Sequence, residues 1–249
     1  MDFALLGICY DRTQTFRRGS AKGPQMLRSI FPKLETYIRG IDLTDSAFIK
    51  DLGDIHPETL EQLMSQTSAK LRGLKQFPII LGGEHTVTLG AVKELKPDVL
   101  VVLDAHPDCE DSNGHNGVVR RISEMIGPEN IYMYGIRCMS RKEEEFIKEK
   151  SIKVASLKDL SNIEGRAYLS IDYDVLDPSI VPAVGNPEPD GITVNNLLEA
   201  VRALGKNLAA VDFVEFTPLS SSEEDVYTLL AGKVIYATLA EIVRAKGFK

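Results

Sequence analysis

Three short stretches of the sequence concentrate residues that can bind metal ions, and each follows an apolar run. Carboxylate oxygens and imidazole nitrogens do not help a core to pack, but they are good ligands for divalent cations. Four carboxylates and two imidazoles are more than one ion usually takes from a protein, so we expect a two-metal site. The candidate ligands are His85 in Gly-Gly-Glu-His, Asp104, His106 and Asp108 in Asp-Ala-His-Pro-Asp, and Asp172 and Asp174 in Ser-Ile-Asp-Tyr-Asp.

The spacing of these residues favours a shared site. In an extended chain, residues two apart point to the same side, so Asp104, His106 and Asp108 can converge on one cavity. Four aspartates balance the charge of two divalent cations, and oxygen-rich ligands without thiolate suit Mn²⁺ better than a structural zinc. Two such ions share a water whose pKa falls towards about 7. The alternative is that a single strand-end carboxylate, such as Asp108 or Asp174, only caps a turn or a helix.

The elements that must position these ligands alternate between apolar strands and amphipathic helices. The run from Val99 to Asp104 is apolar on both faces, which is typical of a central strand in a parallel sheet covered by helices on each side. The pattern predicts one α/β domain over residues 1–249, either an α/β/α sandwich or a barrel. Predicted strands are Phe3–Cys9, Phe48–Leu52, Pro78–Leu81, Val99–Asp104, Ile131–Ile136, Ile152–Ala155, Ala167–Asp172 and Leu208–Glu215. Predicted helices are Glu58–Leu74, Val118–Ile126, Arg141–Lys150, Val194–Leu204 and Glu223–Arg244, with a further helix start at Pro24.

Composition limits the partners and the compartment. The chain of 249 residues has a formal net charge of −7 and no long basic run, which argues against nucleic acid and mildly favours a cationic substrate. Its three cysteines are scattered, so neither a disulfide framework nor a structural zinc is expected. We see no signal peptide and no apolar run of the roughly 18–20 residues that cross a bilayer. We expect a cytoplasmic enzyme with no membrane partner.

The motifs, taken in order, resemble those of a known family. Gly-Gly-Glu-His, Asp-Ala-His-Pro-Asp, Ser-Ile-Asp-Tyr-Asp-Val-Leu-Asp-Pro and Val-Glu-Phe-Thr-Pro are similar to the motifs of the ureohydrolases, which include arginase and agmatinase. Arg18-Gly19 followed by Gly23-Pro24, and the segment Gly185–Gly191, also match, so the resemblance spans essentially the whole chain. It implies a three-layer α/β/α sandwich around a mostly parallel eight-stranded sheet, a centre of two Mn²⁺ per chain, and a homo-oligomer, either a trimer or a hexamer.

The resemblance also implies a reaction and residue roles. A guanidino compound is expected to be hydrolysed to urea and an amine by attack of a metal-bridging hydroxide. Asp104 and Asp172 would bridge both ions, while Glu215 would bind the guanidinium group and Asp108 or His115 would move a proton to the leaving amine. The other ligands implied are His85 and Asp108 for one ion, and His106 and Asp174 for the other. Asp177 in the same motif is expected to be a turn residue.

The loop after Cys109 bears on the substrate. Arginases carry an asparagine at the next position, where it helps to hold the substrate carboxylate, but this chain has Glu110 and Asp111. These acids and His115 are candidate substrate-binding residues, and like charges should disfavour an α-carboxylate. Agmatine is therefore the preferred expectation, with arginine and guanidinobutyrate as alternatives. The family commonly has an aspartate soon after Val-Glu-Phe-Thr-Pro, whereas this chain has Leu219–Ser222.

Two other classes remain open. A different binuclear-metal hydrolase could cleave an amide or a phosphoester, and lysine or arginine near the ligands would favour phosphate. The ligand motifs contain neither, although Arg120 and Arg121 follow nearby. A non-catalytic relative is the other alternative, but such a protein would usually lose ligands first, and all six are present.

Overall fold

Helices cover both faces of an eight-stranded sheet in the computed structural model, which describes residues 1–220 and 225–247. The strand order is β4-β1-β5-β10-β9-β6-β7-β8, and all paired neighbours run parallel. A separate two-stranded antiparallel hairpin is formed by β2 and β3. The strands are β1 (Asp2–Ile8), β2 (Tyr37–Ile38), β3 (Ile41–Asp42), β4 (Phe48–Ile55), β5 (Phe77–Gly82), β6 (Val99–Leu103), β7 (Ile131–Tyr134), β8 (Lys153–Val154), β9 (Ala167–Asp172) and β10 (Leu208–Val214).

The helices divide into two layers. In chain order they are α1 (Gly23–Ile30), α2 (Leu43–Ser46), α3 (Leu60–Leu71), α4 (Val87–Leu95), α5 (Val118–Ile126), α6 (Arg141–Lys150), α7 (Leu157–Ser161), α8 (Val194–Leu204) and α9 (Val226–Ala245). Apolar residues of α1, α7, α8 and α9 share one buried cluster, and those of α3, α4, α5 and α6 share another. The sheet lies between these two clusters and has free edges at β4 and β8. The three-layer sandwich is therefore confirmed, and the barrel alternative is wrong.

Alternation along the central strands fills both layers. In β6, Val99, Val101 and Leu103 belong to one buried cluster, while Leu100 and Val102 belong to the other. This is the period of two that an extended chain imposes. A strand buried on both faces must be apolar at every position, which explains why the sequence predicts β6 and β9 well.

Several elements differ from the sequence prediction. Strand β4 continues to Ile55, beyond the predicted end at Leu52, because it pairs with β1 across a register shift between Leu5 and Gly7. Helix α4 is absent from the prediction: its residues Val87–Val92 are all buried, so it has no polar face to reveal a helical period. The β2–β3 hairpin is also absent from the prediction. The predicted helix start at Glu223 lies outside the described residues, and α9 begins at Val226.

Helix α9 is the one described helix long and apolar enough to cross a membrane by length and composition. Most of its apolar stretch is buried inside the protein, and its residues pack against α1 and α8. A core helix meets the same criterion, so its length alone carries little weight.

The four central strands place their carboxyl ends side by side. They lie in the order β5, β10, β9 and β6. His85 follows the end of β5, Glu215 follows β10, Asp172 ends β9 and Asp104 follows β6. Ligands of parallel sheets bind outside the carboxyl ends of strands, and the candidate site lies there.

Candidate metal centre and substrate cavity

The inner half of the candidate centre surrounds His85. The Nδ1 atom of His85 lies 3.1 Å from Asp104 Oδ2, 3.0 Å from Asp108 Oδ2 and 3.6 Å from Asp172 Oδ2. All four residues are buried. Both His85 Nδ1 and Asp104 Oδ2 are buried without a well-aligned hydrogen-bond partner in the described part of the chain. Such orphaned atoms, facing each other, fit a cation that would occupy the space between them.

The outer half surrounds His106. Its Nδ1 atom lies 2.9 Å from Asp174 Oδ2 and 3.7 Å from Asp104 Oδ1. Asp104 therefore turns one oxygen towards each half, and the Oδ1 of Asp172 accepts a hydrogen bond of 2.8 Å from the backbone N–H of Asp174. The structure thus brings together all six residues that the sequence predicts as metal ligands.

The charges of this cluster need compensation. Burial and the neighbouring carboxylate of Asp174 raise the pKa of both Asp104 and Asp172 well above the usual range. Burial alone would lower the pKa of His85, but the adjacent Asp104 and Asp108 outweigh it and raise that pKa well above its usual value. Burial raises the pKa of Asp174, but the hydrogen bond and positive charge of His106 lower it overall. Four buried carboxylates in contact are costly without cations, so the donor set fits divalent metal ions.

A buried hydrogen-bond network supports His85 from behind. The Nε2 atom of His85 lies 2.9 Å from Ser170 Oγ, and Ser170 Oγ donates to Asp212 Oδ1 at 2.6 Å. Asp212 Oδ2 also accepts from Thr88 Oγ1 and from the hydroxyl of Tyr168, both at 2.7 Å. Outer partners of this kind fix the orientation of a metal-binding imidazole. Asp212 is not among the site residues predicted from the sequence, although an acid inside an apolar strand is a signal that it must have buried partners.

The second nitrogen of His106 lies at the rim of the site. Its Nε2 atom is 3.4 Å from Glu188 Oε1 and 3.2 Å from Asn186 Nδ2. These two residues belong to the segment Gly185–Gly191, which the sequence analysis matched to the family without giving either a role. The His106 side chain is 20% exposed, against 1% for His85, so solvent reaches the outer imidazole much more than the inner one.

Arg137 holds the rim loop in place through the backbone. Its guanidinium donates to the carbonyl oxygens of Asp174 at 2.7 Å, Glu188 at 2.8 Å and Pro189 at 2.7 Å. It also reaches the carbonyls of Gly135 and Val175, each at 3.3 Å. The loop and the strand end that carries Asp174 are therefore joined by one side chain.

Glu215 is fixed on both carboxylate oxygens. Its Oε1 accepts from the backbone N–H of His85 at 2.8 Å, and its Oε2 accepts from Gln14 Nε2 at 2.7 Å. Burial raises the pKa of Glu215 to about 8. Glu215 and Asp108 both have left-handed backbone conformations, with φ of 63° and 48°. Residues other than glycine seldom adopt this region, and such strain is often found at functional sites.

Gln14 is a second residue that the sequence analysis missed. Its side chain is buried, its Oε1 accepts from the backbone N–H groups of Gly19 and Ser20, and its Nε2 also donates to Thr217 Oγ1 at 3.0 Å. The amide is therefore held on both ends when it meets Glu215. No periodicity or spacing marks this residue, because it lies in an irregular segment.

His115 is positioned by the loop that carries Thr13 and Thr15. Its backbone N–H donates to Thr13 Oγ1 at 2.9 Å, and its Nε2 lies 3.3 Å from Thr15 Oγ1. Thr13 is in turn held by the buried carboxylate of Glu84, which accepts from its N–H and its hydroxyl, each at 2.6 Å. The Nδ1 of His115 is buried without a partner in the described residues. His115 also lines the cavity above the candidate centre.

The two acidic residues after Cys109 are separated by the fold. Glu110 lines the cavity, where its Oε1 accepts from Ser140 Oγ at 2.6 Å. Asp111 has a side chain that is 90% exposed and lies 3.7 Å from Arg120, outside the cavity lining. Glu143, which the sequence analysis did not select, also lines the cavity and accepts from the backbone N–H of Cys109 at 3.0 Å. The prediction that Asp111 approaches the substrate therefore has no geometric support.

These residues enclose a cavity of about 240 Å³ above the candidate centre. Six carboxylates contribute to its lining, whereas lysine and arginine are absent from it within the described residues. Three of them, Glu110, Glu143 and Glu215, lie outside the candidate ligand set, and their charges favour a cationic ligand and disfavour an anionic one. The carboxylates are Asp108, Glu110, Glu143, Asp172, Asp174 and Glu215.

A parallel α/β/α sandwich with this cluster at the carboxyl ends of its central strands defines a class of metal-binding hydrolase folds. A sequence model of the arginase family matches residues 1–240, and the chain belongs to that family. It is 34% identical to the N(1)-aminopropylagmatine ureohydrolase of Thermococcus kodakarensis, with 97% of this chain and 91% of that protein covered. It is 32% identical to the agmatinase of Bacillus subtilis, with 98% and 92% covered. The structure of the agmatine ureohydrolase of Thermoplasma volcanium superposes with a TM-score of 0.84 at 32% identity, covering 96% of this chain and 89% of that one.

Proposed function

We propose that the protein is a binuclear manganese ureohydrolase that cleaves a guanidino compound, with agmatine preferred, into urea and an amine. The observation that carries the proposal is the set of four buried carboxylates, the buried imidazole of His85 and the part-exposed imidazole of His106, which opens into an acidic cavity with Glu215 at its side. Family membership and the names of the relatives support the same reaction.

The six predicted ligands would hold the two ions. His85 and Asp108 would complete one ion and His106 and Asp174 the other, with Asp104 shared through its two differently directed oxygens and Asp172 shared as the resemblance implies. A donor set of oxygen and imidazole without thiolate fits manganese. When bound, the two ions supply an activated water and offset negative charge that develops during hydrolysis.

Glu215 binds and orients the substrate. A planar guanidinium pairs with a carboxylate through charge-assisted hydrogen bonds, which fix the direction of its carbon. Gln14 and the backbone of His85 hold both oxygens of Glu215, so the carboxylate does not rotate away from the cavity. Either Asp108 or His115 delivers the proton that the leaving amine needs, since both line the cavity.

The cavity also favours one kind of substrate tail. Glu110 and Glu143 line its wall, so a carboxylate on the substrate would meet like charge whereas an ammonium would be stabilised. Arginine and guanidinobutyrate both carry a carboxylate, and agmatine carries an ammonium instead. Asp111 does not contribute, since it faces Arg120 on the outer surface.

Urea release by the manganese-loaded protein tests this proposal directly. We expect turnover of agmatine to exceed that of arginine and of guanidinobutyrate, and chelation to abolish it. Two bound manganese ions should also raise the melting temperature by about 10–20 °C when the metal is present at roughly 100 times its Kd. A clear preference for arginine would contradict the substrate assignment. Phosphoester or amide cleavage without urea would select the other hydrolase class, and failure to retain metal would select a non-catalytic protein.

The proposal also covers the compartment, the domain organisation, the oligomeric state and the binding partners of the enzyme. The three cysteines Cys9, Cys109 and Cys138 are free, which supports a reducing cytoplasm. A single catalytic domain over residues 1–249 and a homo-oligomer, either a trimer or a hexamer, follow from the family resemblance. The acidic net charge of −7 supports a small cationic substrate rather than nucleic acid or a membrane as the binding partner.

A further inference from the structure

A second group of metal-binding side chains lies on the outer side of His106. An imidazole nitrogen of His106, a carboxylate oxygen of Glu188 and the Sγ atom of Cys138 all lie within 4.8 Å of one another. The nitrogen that faces Glu188 is Nε2. The nitrogen and the carboxylate oxygen are 3.4 Å apart. The Nε2 atom lies on the edge of the imidazole ring that points away from the candidate manganese centre.

The three residues come from separate segments that the fold holds together. Cys138 follows β7, and its backbone N–H donates to the carbonyl of Ala105 at 3.1 Å, next to His106. Glu188 lies in the rim loop, whose backbone is bound by Arg137, the residue before Cys138. These contacts therefore hold the three backbone segments that carry His106, Cys138 and Glu188 beside one another.

The donor chemistry differs from that of the inner centre. One sulfur, one imidazole nitrogen and one carboxylate oxygen form a mixed set that zinc and cadmium favour, and a water can complete a tetrahedral site. A thiolate and a carboxylate together neutralise a divalent cation. Cys138 is exposed, and His106 and Glu188 are part-exposed, so a cation from solvent can reach them.

A comparable group elsewhere lacks these properties. Cys9, Asp54 and His56 also lie within 4.8 Å of one another. However, Asp54 is already paired with the guanidinium of Arg28, and burial raises the pKa of Cys9 to about 12. A cation there would have to displace an arginine, whereas at Cys138 it has to displace only protons and the exposed amide of Asn186.

We propose that Cys138, Glu188 and the Nε2 atom of His106 form a binding site for a thiophilic divalent cation such as Zn²⁺ or Cd²⁺, and that occupation of this site inhibits the enzyme. Binding forms metal–sulfur, metal–oxygen and metal–nitrogen bonds and releases the thiol proton and the ring N–H proton to solvent. Inhibition follows because His106 and Asn186 line the cavity, so a cation held on Nε2 places positive charge at the opening that a cationic substrate must approach. The inhibition rests on the proposed function, whereas the cation binding does not.

Cadmium titration of the manganese-loaded protein tests both the cation binding and the inhibition. We expect a thiolate-to-cadmium charge-transfer band that saturates at one ion per chain, protection of Cys138 from thiol reagents, and loss of urea release over the same range. Cys138→Ser should retain basal activity, lack the band and need at least about tenfold more cadmium for half inhibition. Cys9→Ser is the matched control and should behave as the unmodified protein.

The possible results distinguish a failure of cation binding from a failure of inhibition. An equal band or equal cadmium affinity in Cys138→Ser would overturn the binding site. A band in the unmodified protein with unchanged urea release would overturn the inhibitory role alone. If no substrate releases urea, the band, the stoichiometry and the thiol protection still decide the binding site, so failure of the proposed function is distinguishable.

Discussion

The two histidines of the candidate metal centre have different surroundings. Behind His85 lies a chain of hydrogen bonds through Ser170 to Asp212, all of it buried in the core. Behind His106 lie Glu188 and Asn186, which belong to a rim loop that solvent reaches. One half of the centre is thus oriented by the interior of the fold and the other by its surface. We infer that the inner half, around His85, sets the geometry of the metal centre. The outer half, around His106, is open to further ligands.

The largest expected effect comes from Asp172, which lies where the two halves meet. Asp172→Ala should lower the amount of bound manganese and reduce urea release. The reduction should exceed the roughly 10- to 100-fold loss that is typical when a hydrogen-bond partner of a metal ligand is mutated. Circular dichroism should show an intact fold. Asp177→Asn is the matched control, because the Asp177 side chain lies outside the candidate ligand set and accepts hydrogen bonds from the backbone N–H groups of Ser179 and Gly191, which an amide oxygen can also accept. Normal urea release by the alanine variant would rule out the site as described.

The next effect tests the comparison itself. Asp212→Asn should weaken manganese binding by about 10- to 100-fold, because the buried partner of Ser170 loses its charge. Glu188→Gln should weaken it by less than about tenfold, since water can replace an exposed partner. Electron paramagnetic resonance of free Mn²⁺ measures both affinities. Equal losses, or a larger loss for Glu188→Gln, would break the distinction between an interior and a surface half.

A smaller effect is expected at Gln14, which orients Glu215 without approaching the candidate ligands. Gln14→Ala removes a hydrogen bond to a charged group, worth about 1.5 kcal/mol, so KM for agmatine should rise about tenfold. Manganese content should be unchanged. Steady-state kinetics with metal analysis checks both statements. A fall in bound manganese would instead place Gln14 among the supports of the metal centre.

The smallest effect concerns the acidic wall of the cavity. Glu110→Gln should reduce the preference for agmatine over arginine by about fivefold, because one screened charge is removed. Asp111→Asn is the matched control, since Asp111 lies outside the cavity lining. The ratio of kcat/KM for the two substrates gives the result. An equal shift in both variants would point to the general field of the protein rather than to the wall.

The sequence carries most of the fold and of the candidate ligand set. Strands such as β9 are predicted at their observed bounds because burial on both faces leaves an unbroken apolar run. Ligands at alternate positions after a strand, such as Asp172 and Asp174, are predicted from their spacing and the family resemblance. Helix α4 could not be predicted from a polar face, because Gly90 packs closely on α3 and the helix is largely buried.

Supporting contacts between distant segments are harder to predict. Gln14 meets Glu215 across 201 positions of sequence, and no local pattern links an irregular segment to the end of β10. Asp111 shows the opposite failure. Its charge predicts a role, but the turn after Cys109 points its side chain to the outer surface, where it faces Arg120. Direction after a strand end depends on backbone torsions, such as the positive φ of Asp108, that residue type alone does not specify.

Arg137 has a consequence for how this enzyme could change. Within the described residues, its guanidinium donates to main-chain oxygens of the rim loop, of the segment that carries Asp174 and Val175, and of Gly135. Hydrogen bonds of this kind do not depend on which side chains the loop carries. Substitutions at Asn186 or Glu188 can therefore alter which molecules and ions approach the opening, while the course of the chain around that opening is preserved.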